Sequence, residues 1–186
     1  MTKKQYTVVV SPLATAAYAW LARPDEGQEF SDGKYKLTLV LDKKDAAVEA
    51  FIADLETKAT AIGTEEFGNL PKSFRQPFKD GDDGDKEEFH GKYLIVAKTK
   101  YQPGFVDAGK QPLPEETYPM SGDQVRASFA LLPYKAGGGI GVSCQLRNVM
   151  LIEKRNNGGG FDDFADVAAV ASASKKEAND DEDFDL

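Results

Sequence analysis

The sequence predicts a mainly β fold: a small barrel with one amphipathic helix, long loops and a disordered acidic C-terminal tail. Three observations support this prediction. Several short segments alternate apolar and polar residues, as half-buried strands do. One segment repeats its apolar residues at a helical spacing, which indicates a single helix with one apolar stripe. A dense run of acidic residues follows a glycine-rich break at 156–160, and such a run cannot form a core.

Four segments alternate with a period of two and are predicted to be strands: 34–41, 92–101, 125–131 and 140–146. Two further strands are predicted at 5–10 and 148–152. In chain order, 34–41 is the second predicted strand and 92–101 is the third. In the second predicted strand, Lys34 and Lys36 share the face opposite Tyr35 and three leucines. In the third, Lys98 and Lys100 share the face opposite Ile95, Ala97 and two tyrosines. Because successive side chains of a strand point to opposite sides, the apolar faces are expected in the core and the basic faces on the surface.

The segment between the second and third predicted strands has a helical period. Its apolar stripe comprises Val48, Phe51, Ile52, Leu55, Ala59 and Ile62. Asp42 is a suitable N-cap and Gly63 a suitable stop signal. The helix is expected to cover one end of the barrel. Two irregular stretches, 68–91 and 102–122, are rich in Pro, Gly and charge, and loops of this length are usually functional.

The acidic residues are concentrated towards the end of the chain. The whole chain has a net charge of −8, and residues 156–186 hold nine acidic and two basic residues, so the body is close to neutral. The sequence predicts one domain over 1–155, followed over 156–186 by a glycine-rich linker and a disordered tail, because like charges at this density repel one another and stay hydrated. The overall acidity therefore says little about the surface of the body.

Composition narrows the class of protein. With one cysteine, Cys144, the chain cannot form an internal disulfide, which favours a reducing, cytoplasmic setting. No segment has the pattern of a signal peptide. No apolar run approaches the roughly 18 residues that span a bilayer, so no membrane partner is expected.

No catalytic or metal-binding set stands out. His90 is the only histidine and Cys144 the only thiol, so a nucleophilic triad or a zinc site lacks its residues. The aspartates from Asp80 to Asp85 resemble a calcium loop, but Gly91 stands where that loop needs a bidentate glutamate. His90 is expected in a loop or at a strand edge, and Cys144 in the core. The sequence predicts neither an enzyme nor a bound cofactor or metal.

Basic and aromatic residues lie side by side at several places in the chain. Cations attract phosphates and flat rings stack on unpaired bases, so this composition suits single-stranded nucleic acid. The predicted phosphate contacts are Lys34, Lys36, Lys98, Lys100 and Arg126, with Arg75 and Arg147 as supporting cations. The predicted stacking platforms are Trp20, Phe74, Tyr101 and Tyr134. A solvated strand face would present the same lysines, and a single aromatic ring is more often part of a core.

Several motifs have a familiar order and spacing between about 70 and 160. They are Lys79-Asp80-Gly81-Asp82, Tyr101-Gln102-Pro103-Gly104-Phe105-Val106-Asp107, Gly122-Asp123-Gln124-Val125-Arg126-Ala127-Ser128, Gly137-Gly138-Gly139-Ile140-Gly141-Val142 and Leu146-Arg147-Asn148-Val149. Together they resemble a family of phage single-stranded DNA-binding proteins. The acidic tail is similar to the tails of replication proteins from short-tailed phages, although here Asp185 and Leu186 follow the aromatic Phe184.

The resemblance implies an OB-fold barrel that binds single-stranded DNA without sequence preference and serves phage DNA replication and recombination in the cytoplasm of the infected bacterium. The tip of the tail is expected to compete with phosphate for the basic groove and so to gate it. Once displaced, it is expected to recruit replication proteins such as a polymerase, helicase, primase or nuclease. This predicted partner-binding tip comprises Asp180, Asp181, Glu182, Asp183, Phe184, Asp185 and Leu186. The sequence leaves homodimer formation open.

Two alternative functions remain on the sequence alone. In the first, the acidic tail mimics DNA and the barrel is a protein-interaction module that inhibits a host enzyme. In the second, the aspartates from Asp80 to Asp85 serve a metal-dependent nuclease. The first needs no basic face, so replacing Lys98 and Lys100 would leave its activity intact. The second predicts cleavage of labelled single strands in the presence of magnesium.

Overall fold

The structure is a computed structural model that describes residues 6–26, 31–114 and 116–155. The predicted tail, 156–186, lies outside these described residues. In chain order, the elements are β1 (Thr7–Val10), β2 (Ala14–Trp20), β3 (Tyr35–Asp42), α1 (Ala46–Phe67), β4 (Lys79–Asp80), β5 (Lys92–Thr99), β6 (Gly104–Asp107), β7 (Gln124–Ala136) and β8 (Gly139–Glu153).

Five of the strands close into a barrel. β2 pairs with β3, β3 with β5, β7 with β2 and β7 with β8, all antiparallel, and a parallel pairing of β5 with β8 completes the ring. Outside the ring, β1 pairs with β7, β4 with β5 and β6 with β8. A five-stranded closed sheet of this kind is the OB-type architecture. The predicted mainly β barrel with one helix is therefore confirmed.

The apolar faces of the strands fill the barrel. Leu37, Leu39 and Leu41 of β3 are fully buried, as are Ile95 and Ala97 of β5, at the alternate positions that the sequence assigns to the core. β7 and β8 add Val125, Ala127, Phe129, Leu131, Val142, Cys144 and Leu146. Burying a large apolar side chain stabilises a fold by about 1.5–3 kcal/mol. This inward packing leaves the other face of each strand at the surface.

α1 packs its apolar stripe against the barrel. Its buried residues are Val48, Ile52, Leu55, Ala59 and Gly63. The ring of Phe51 meets that of Phe129 on β7 edge to face, with centroids 6.5 Å apart. The helix thereby covers part of the barrel core, as predicted. Among the described residues, no helix is long and apolar enough to cross a membrane.

Both predicted ends of the helix are wrong. The N-cap is Asp45, whose side chain accepts a hydrogen bond of 2.9 Å from the Ala47 amide. Gly63 lies inside the helix. Glycine is needed there because a Cβ at this position would come within 2.6 Å of the Phe74 ring. The helix ends at Gly68, whose φ of 77° suits glycine. A glycine required for close packing therefore imitates a stop signal in the sequence.

The strand predictions need several corrections, among them β4 and β6, which lie in the two stretches expected to be irregular. β2 was missed because alanines occupy its inward positions, and small side chains give little alternation signal; Ala14 and Ala16 are each 2% exposed. The predicted strands 140–146 and 148–152 form one long strand, β8. Tyr134, predicted in a loop, lies on β7, whose last residues extend beyond the barrel and pair with the start of β8.

Candidate nucleic-acid interface

A groove of about 610 Å³ lies on the outer surface of the barrel. The outward face of β5 contributes Val96 and Lys98, and that of β8 contributes Ser143 and Gln145. Lys98 and Gln145 are register partners across the parallel pair. The segment 76–79 and the end of β7 complete the lining. In OB folds, oligonucleotides bind on the face of the second and third barrel strands and at the loops joining strands one to two and four to five. Here the second and third barrel strands are β3 and β5, so the groove shares β5 with that face.

The groove gathers residues that are far apart in the sequence. It is lined by five of the predicted site residues: Lys34, Lys98, Lys100, Tyr101 and Tyr134. Tyr101 is 76% exposed, because β5 ends at Thr99 and the tyrosine no longer belongs to the inward-facing series. Phe78 and Lys79 also line the groove. Their adjacency in the sequence is the same basic and aromatic pairing that identified the other residues.

Arg75 and Tyr134 meet at the β7–β8 hairpin. The backbone of Arg75 is bonded to β8, with its amide donating to the Ile140 carbonyl at 3.0 Å and its carbonyl accepting from Val142 at 3.1 Å. Gly141 lies beneath both: a Cβ there would be 2.7 Å from the Arg75 carbonyl oxygen and 2.9 Å from the Tyr134 hydroxyl. Glycine at this position therefore allows the segment carrying Arg75 to lie directly on β8 beside the groove.

Arg147 is presented by a β-bulge. Leu146 pairs with Phe129 and Asn148 with Ser128, so Arg147 is the extra residue between two register pairs. A bulge re-aims the side chains beside it. Arg147 is exposed and lies two residues beyond the groove-lining Gln145. The structure thus places it next to the groove without including it in the lining.

Two lysines of the strand face are neutralised by carboxylates. Lys36 and Lys98 are register partners on β3 and β5. Lys36 Nζ lies 2.8 Å from Asp25 Oδ2 and 3.0 Å from Asp32 Oδ1, and Lys98 Nζ lies 3.2 Å from Asp32 Oδ2. Both aspartates precede β3. No local sequence pattern identifies them, because a carboxylate that pairs with a lysine on a strand has no sequence motif.

The charges of this cluster are firmly held. Partial burial alone raises the pKa of the Asp32 carboxyl, but its hydrogen bonds and charge interactions with Lys36 and Lys98 outweigh that effect and bring the pKa to about 2. The hydrogen bond that Lys36 donates to the Asp25 carboxylate raises the pKa of Lys36. The Asp32 carboxylate and the Lys36 ammonium are therefore ionised at neutral pH.

Apart from the two arginines at its edge, four predicted residues are not in the groove: Lys36, which is paired with Asp25 and Asp32, and Phe74, Arg126 and Trp20. Phe74 packs its ring against Gly63 of α1 and joins the barrel core. Arg126 donates from Nε to the Ser11 carbonyl at 2.9 Å, near the turn between β1 and β2. Trp20 is half-buried on β2, where it is the register partner of Lys36. Phe74 and Arg126 were selected by residue type, which does not reveal the face of the fold that a side chain occupies.

The aspartate cluster has a structural role. Lys43 pairs with Asp80 and with Asp82, the latter at 2.6 Å. Asp82 Oδ1 also accepts from the Gly91 amide at 2.7 Å, which closes the loop before β5. Within 6–26, 31–114 and 116–155, no group of His, Cys, Asp or Glu could hold a metal ion. These carboxylates are thus used to fold the loop.

Tyr18 anchors the same loop to β2. It has a φ of 46°, unusual for a bulky residue, and lies in the irregular part of the β2–β3 pairing. Lys86 Nζ lies 4.8 Å from the centre of the Tyr18 ring, and Phe89 meets that ring edge to face at 6.3 Å. His90 is in this loop, as predicted, with Nε2 3.1 Å from the Gly84 carbonyl.

Cys144 is confirmed as a core residue. It is 5% exposed, and burial raises the pKa of its thiol to about 12. A thiol with such a pKa stays protonated at neutral pH and is a poor nucleophile. Cys144 lies between the core and the groove, and its role there is to pack the barrel.

The groove and the barrel point to a known family. Residues 7–184 match the sequence model of the family described as the single-stranded DNA-binding protein of Enterobacter phage Enc34. The chain belongs to this family. The resemblance drawn from the motifs is therefore confirmed at the level of a phage single-stranded DNA-binding protein family.

Two single-stranded DNA-binding proteins of phages match most of the chain. The protein of Escherichia phage T7 is 28% identical over 227 aligned residues, covering 100% of this chain and 94% of the relative. The protein of Enterobacteria phage T3 is 30% identical, covering 88% of this chain and 82% of the relative.

Solved structures share the fold. The crystal structure of gp2.5 from bacteriophage T7 matches with a TM-score of 0.62 at 24% identity, covering 87% of this chain and 94% of the other. The phage Enc34 protein in complex with single-stranded DNA matches with a TM-score of 0.63 at 22% identity, covering 82% and 89%. At these identities the comparison shows a shared fold.

Proposed function

We propose that this protein binds single-stranded DNA, without sequence preference, in the groove beside β5 and β8. The observation that carries the proposal is the convergence of Lys34, Lys98 and Lys100 with Tyr101 and Tyr134 on that one groove. Cations and aromatic rings in one channel are the two components that single-strand binding requires. That the Enc34 relative was solved with single-stranded DNA supports the same conclusion.

The groove residues divide into two roles. The three lysines contact phosphates, and Arg75 and Arg147 extend the basic surface at its edges. Tyr101 and Tyr134 stack on bases, with Phe78 as an additional ring at the wall. None of these contacts reads the hydrogen-bonding edge of a base, so binding is independent of sequence. Lys36, Trp20, Phe74 and Arg126 belong to the surrounding framework.

The acidic tail regulates the groove and recruits partners. Its tip, 180–186, carries five carboxylates and two apolar side chains, Phe184 and Leu186. Carboxylates compete with phosphate for lysines, so the tip slows binding to weak ligands and a long strand displaces it. The displaced tip then binds replication proteins, with its apolar residues as anchors. The body, 1–155, is the DNA-binding domain, and residues 156–186 are the linker and tail. The body can also pair with a second copy to form a homodimer.

The protein acts without catalysis, in phage DNA replication and recombination inside the infected cell. Its basic groove favours a DNA-binding role over that of a DNA mimic, because a mimic requires only the acidic tail. Against nuclease activity, Asp80 and Asp82 are engaged by Lys43 and the loop backbone. Labelled single strands incubated with the protein and magnesium should therefore remain intact.

The binding proposal is tested by the double variant Lys98→Ala/Lys100→Ala. Affinity for fluorescein-labelled oligo-dT is measured by anisotropy at several salt concentrations. The wild-type affinity should fall with salt at a slope of about −0.7 per phosphate contacted, and the double variant should lose up to about 1.4 of that slope. The control is Lys58→Ala, because Lys58 pairs with Asp54 on the outer face of α1. Equal affinities and slopes in all three proteins would refute the groove as the binding site.

The tail proposal has its own test. Deleting the residues after Gly160 should tighten oligo-dT binding, because an internal competitor is removed, and should weaken capture of replication proteins. If the truncated protein binds DNA with unchanged affinity, the gating role is wrong while the groove remains as proposed.

A further inference from the structure

Beside the groove, two carboxylates are paired with lysines of the barrel face. Asp25 and Asp32 precede β3 and are held against lysines of the barrel face. Asp32 bridges two strands, with one oxygen 3.0 Å from Lys36 Nζ and the other 3.2 Å from Lys98 Nζ. Asp25 holds Lys36 at 2.8 Å. Each lysine ammonium thus already has an anionic oxygen at the distance that a phosphate oxygen would take.

Asp32 is also accessible to displacement. Its side chain is 32% exposed and that of Lys98 is 44% exposed, whereas those of Lys36 and Asp25 are only 16% exposed. Lys98 lines the groove. An incoming strand can therefore reach the Asp32–Lys98 pair without disturbing the core. The less exposed Lys36–Asp25 pair remains behind it as support.

We propose that Asp32 is a specificity-determining residue that occupies the place of a backbone phosphodiester at Lys98 and must be displaced before DNA binds. This inference rests on the proposed function and refines it. The carboxylate sets a threshold: a ligand gains the Lys98 contact only if its remaining contacts offset the lost ion pair. A long single strand with many phosphates meets that threshold, and a ligand with one or two phosphates binds weakly.

The expected size of the effect follows from the geometry. Partly exposed ion pairs contribute about 0.2–1 kcal/mol each, and Asp32 makes two. When a binding-competent state is only a fraction of the population, the apparent affinity falls by that fraction. Removing the carboxylate should therefore tighten DNA binding about 2-fold to 30-fold.

A structural role for Asp32 predicts the opposite result. Lys36 and Lys98 lie directly opposite each other on antiparallel strands, and like charges in that position destabilise a sheet. If Asp32 serves only to hold the lysines in place for DNA, its removal weakens binding. Competition instead predicts a gain of affinity together with a small loss of stability, because the same ion pairs are lost from the free protein.

The test uses the full chain carrying Asp32→Asn. Asparagine keeps the side-chain oxygen that accepts from the Lys34 amide at 3.2 Å, so the turn before β3 is retained. Its matched control is Asp54→Asn, which removes the same charge from the Asp54–Lys58 pair of 2.7 Å on α1. Binding of fluorescein-labelled oligo-dT is measured by anisotropy for the wild type and both variants, and thermal unfolding is recorded for each.

Asp32→Asn should bind about 2-fold to 30-fold more tightly than the wild type, and Asp54→Asn should match the wild type. In a Lys36→Ala/Lys98→Ala background, Asp32→Asn should give no gain. A gain in that background, a gain equal to that of Asp54→Asn, or weaker binding by Asp32→Asn would overturn the inference. If Asp32→Asn fails to fold, Asp32→Ser, which also keeps a side-chain oxygen to accept from the Lys34 amide, should show the gain, and no gain there counts against competition.

Failure of the proposed function would look different. If neither the wild type nor any variant binds oligo-dT, the protein is not a single-strand binder and both proposals fall. If the wild type binds and Asp32→Asn gives no gain, only the competition is wrong.

Discussion

Gly141 is the residue on which the edge of the groove depends most directly, and Gly141→Ala tests that dependence. An added Cβ would lie 2.7 Å from the Arg75 carbonyl oxygen, 2.8 Å from Arg75 Cβ and 2.9 Å from the Tyr134 hydroxyl. Two of these neighbours belong to the backbone or its first side-chain atom, so they cannot swing aside. The segment carrying Arg75 must therefore move away from β8.

The cost can be worked out from the contacts that would be lost. Two backbone hydrogen bonds, of 3.0 and 3.1 Å, join Arg75 to β8, and each contributes about 0.5–1.5 kcal/mol. Replacing glycine also restricts the unfolded chain, which returns about 0.4–1 kcal/mol. We expect a net destabilisation of about 1–2 kcal/mol, or a fall in Tm of roughly 2–8 °C. Because Arg75 and Tyr134 both shift, DNA affinity should fall as well.

Thermal unfolding and anisotropy with labelled oligo-dT measure the two effects. Gly84→Ala is the control, since its added Cβ would meet nothing closer than 3.7 Å and its φ of −100° suits alanine. A Gly141→Ala protein with the Tm and DNA affinity of the wild type would refute the close approach of Arg75 and Tyr134 described above.

Three further predictions concern single residues. Phe74→Ala should lower the free energy of unfolding by about 2–3 kcal/mol, measured with urea, because its ring packs on α1. Tyr101→Ala should change that free energy by under about 0.5 kcal/mol and weaken oligo-dT binding about 5-fold to 100-fold. The reverse pattern would show that the two rings have been assigned the wrong roles. Cys144, whose burial raises its pKa to about 12, should resist maleimide at pH 7 in the folded protein and react once urea unfolds it; rapid labelling of the folded protein would contradict its burial. Since the pKa of Asp32 is lowered from 3.8 to about 2 in the fold, its ion pairs stabilise the protein above pH 4 and that contribution is lost as the pH falls towards 2; Asp32→Asn should lose less stability over this interval, and identical acid titrations of the two proteins would argue against the pairing.

Local patterns that report directly on burial predicted the fold reliably. Period-two alternation predicts strands β3 and β5, and the inward aliphatic residues are fully buried: Leu37, Leu39, Leu41, Ile95 and Ala97. β2 escaped prediction because alanine is small enough for an inward position without producing a contrast. Gly63 resembles a helix stop signal in the sequence, because a glycine needed for close packing cannot be distinguished by residue type from a glycine that ends a helix.

The candidate site was only partly predictable for a related reason. Lys34, Lys98, Lys100, Tyr101 and Tyr134 were selected by composition, and the structure brings them to one groove. Phe74 and Arg126 met the same criterion, yet one packs on the helix and the other is bonded to Ser11. A residue type states what chemistry is available, whereas its direction depends on strands that are distant in the chain.

By itself, the sequence determined the class of fold, the family and the kind of ligand, because alternation, motif order and the mixture of cations with rings are local properties. Only the tertiary structure decided which cations share a channel and which already have partners. The pairing of Asp32 with Lys36 and Lys98 illustrates the difference. It joins a loop to two strands, and electrostatic attraction acts through space, between groups whose separation along the chain carries no information about their distance in the fold.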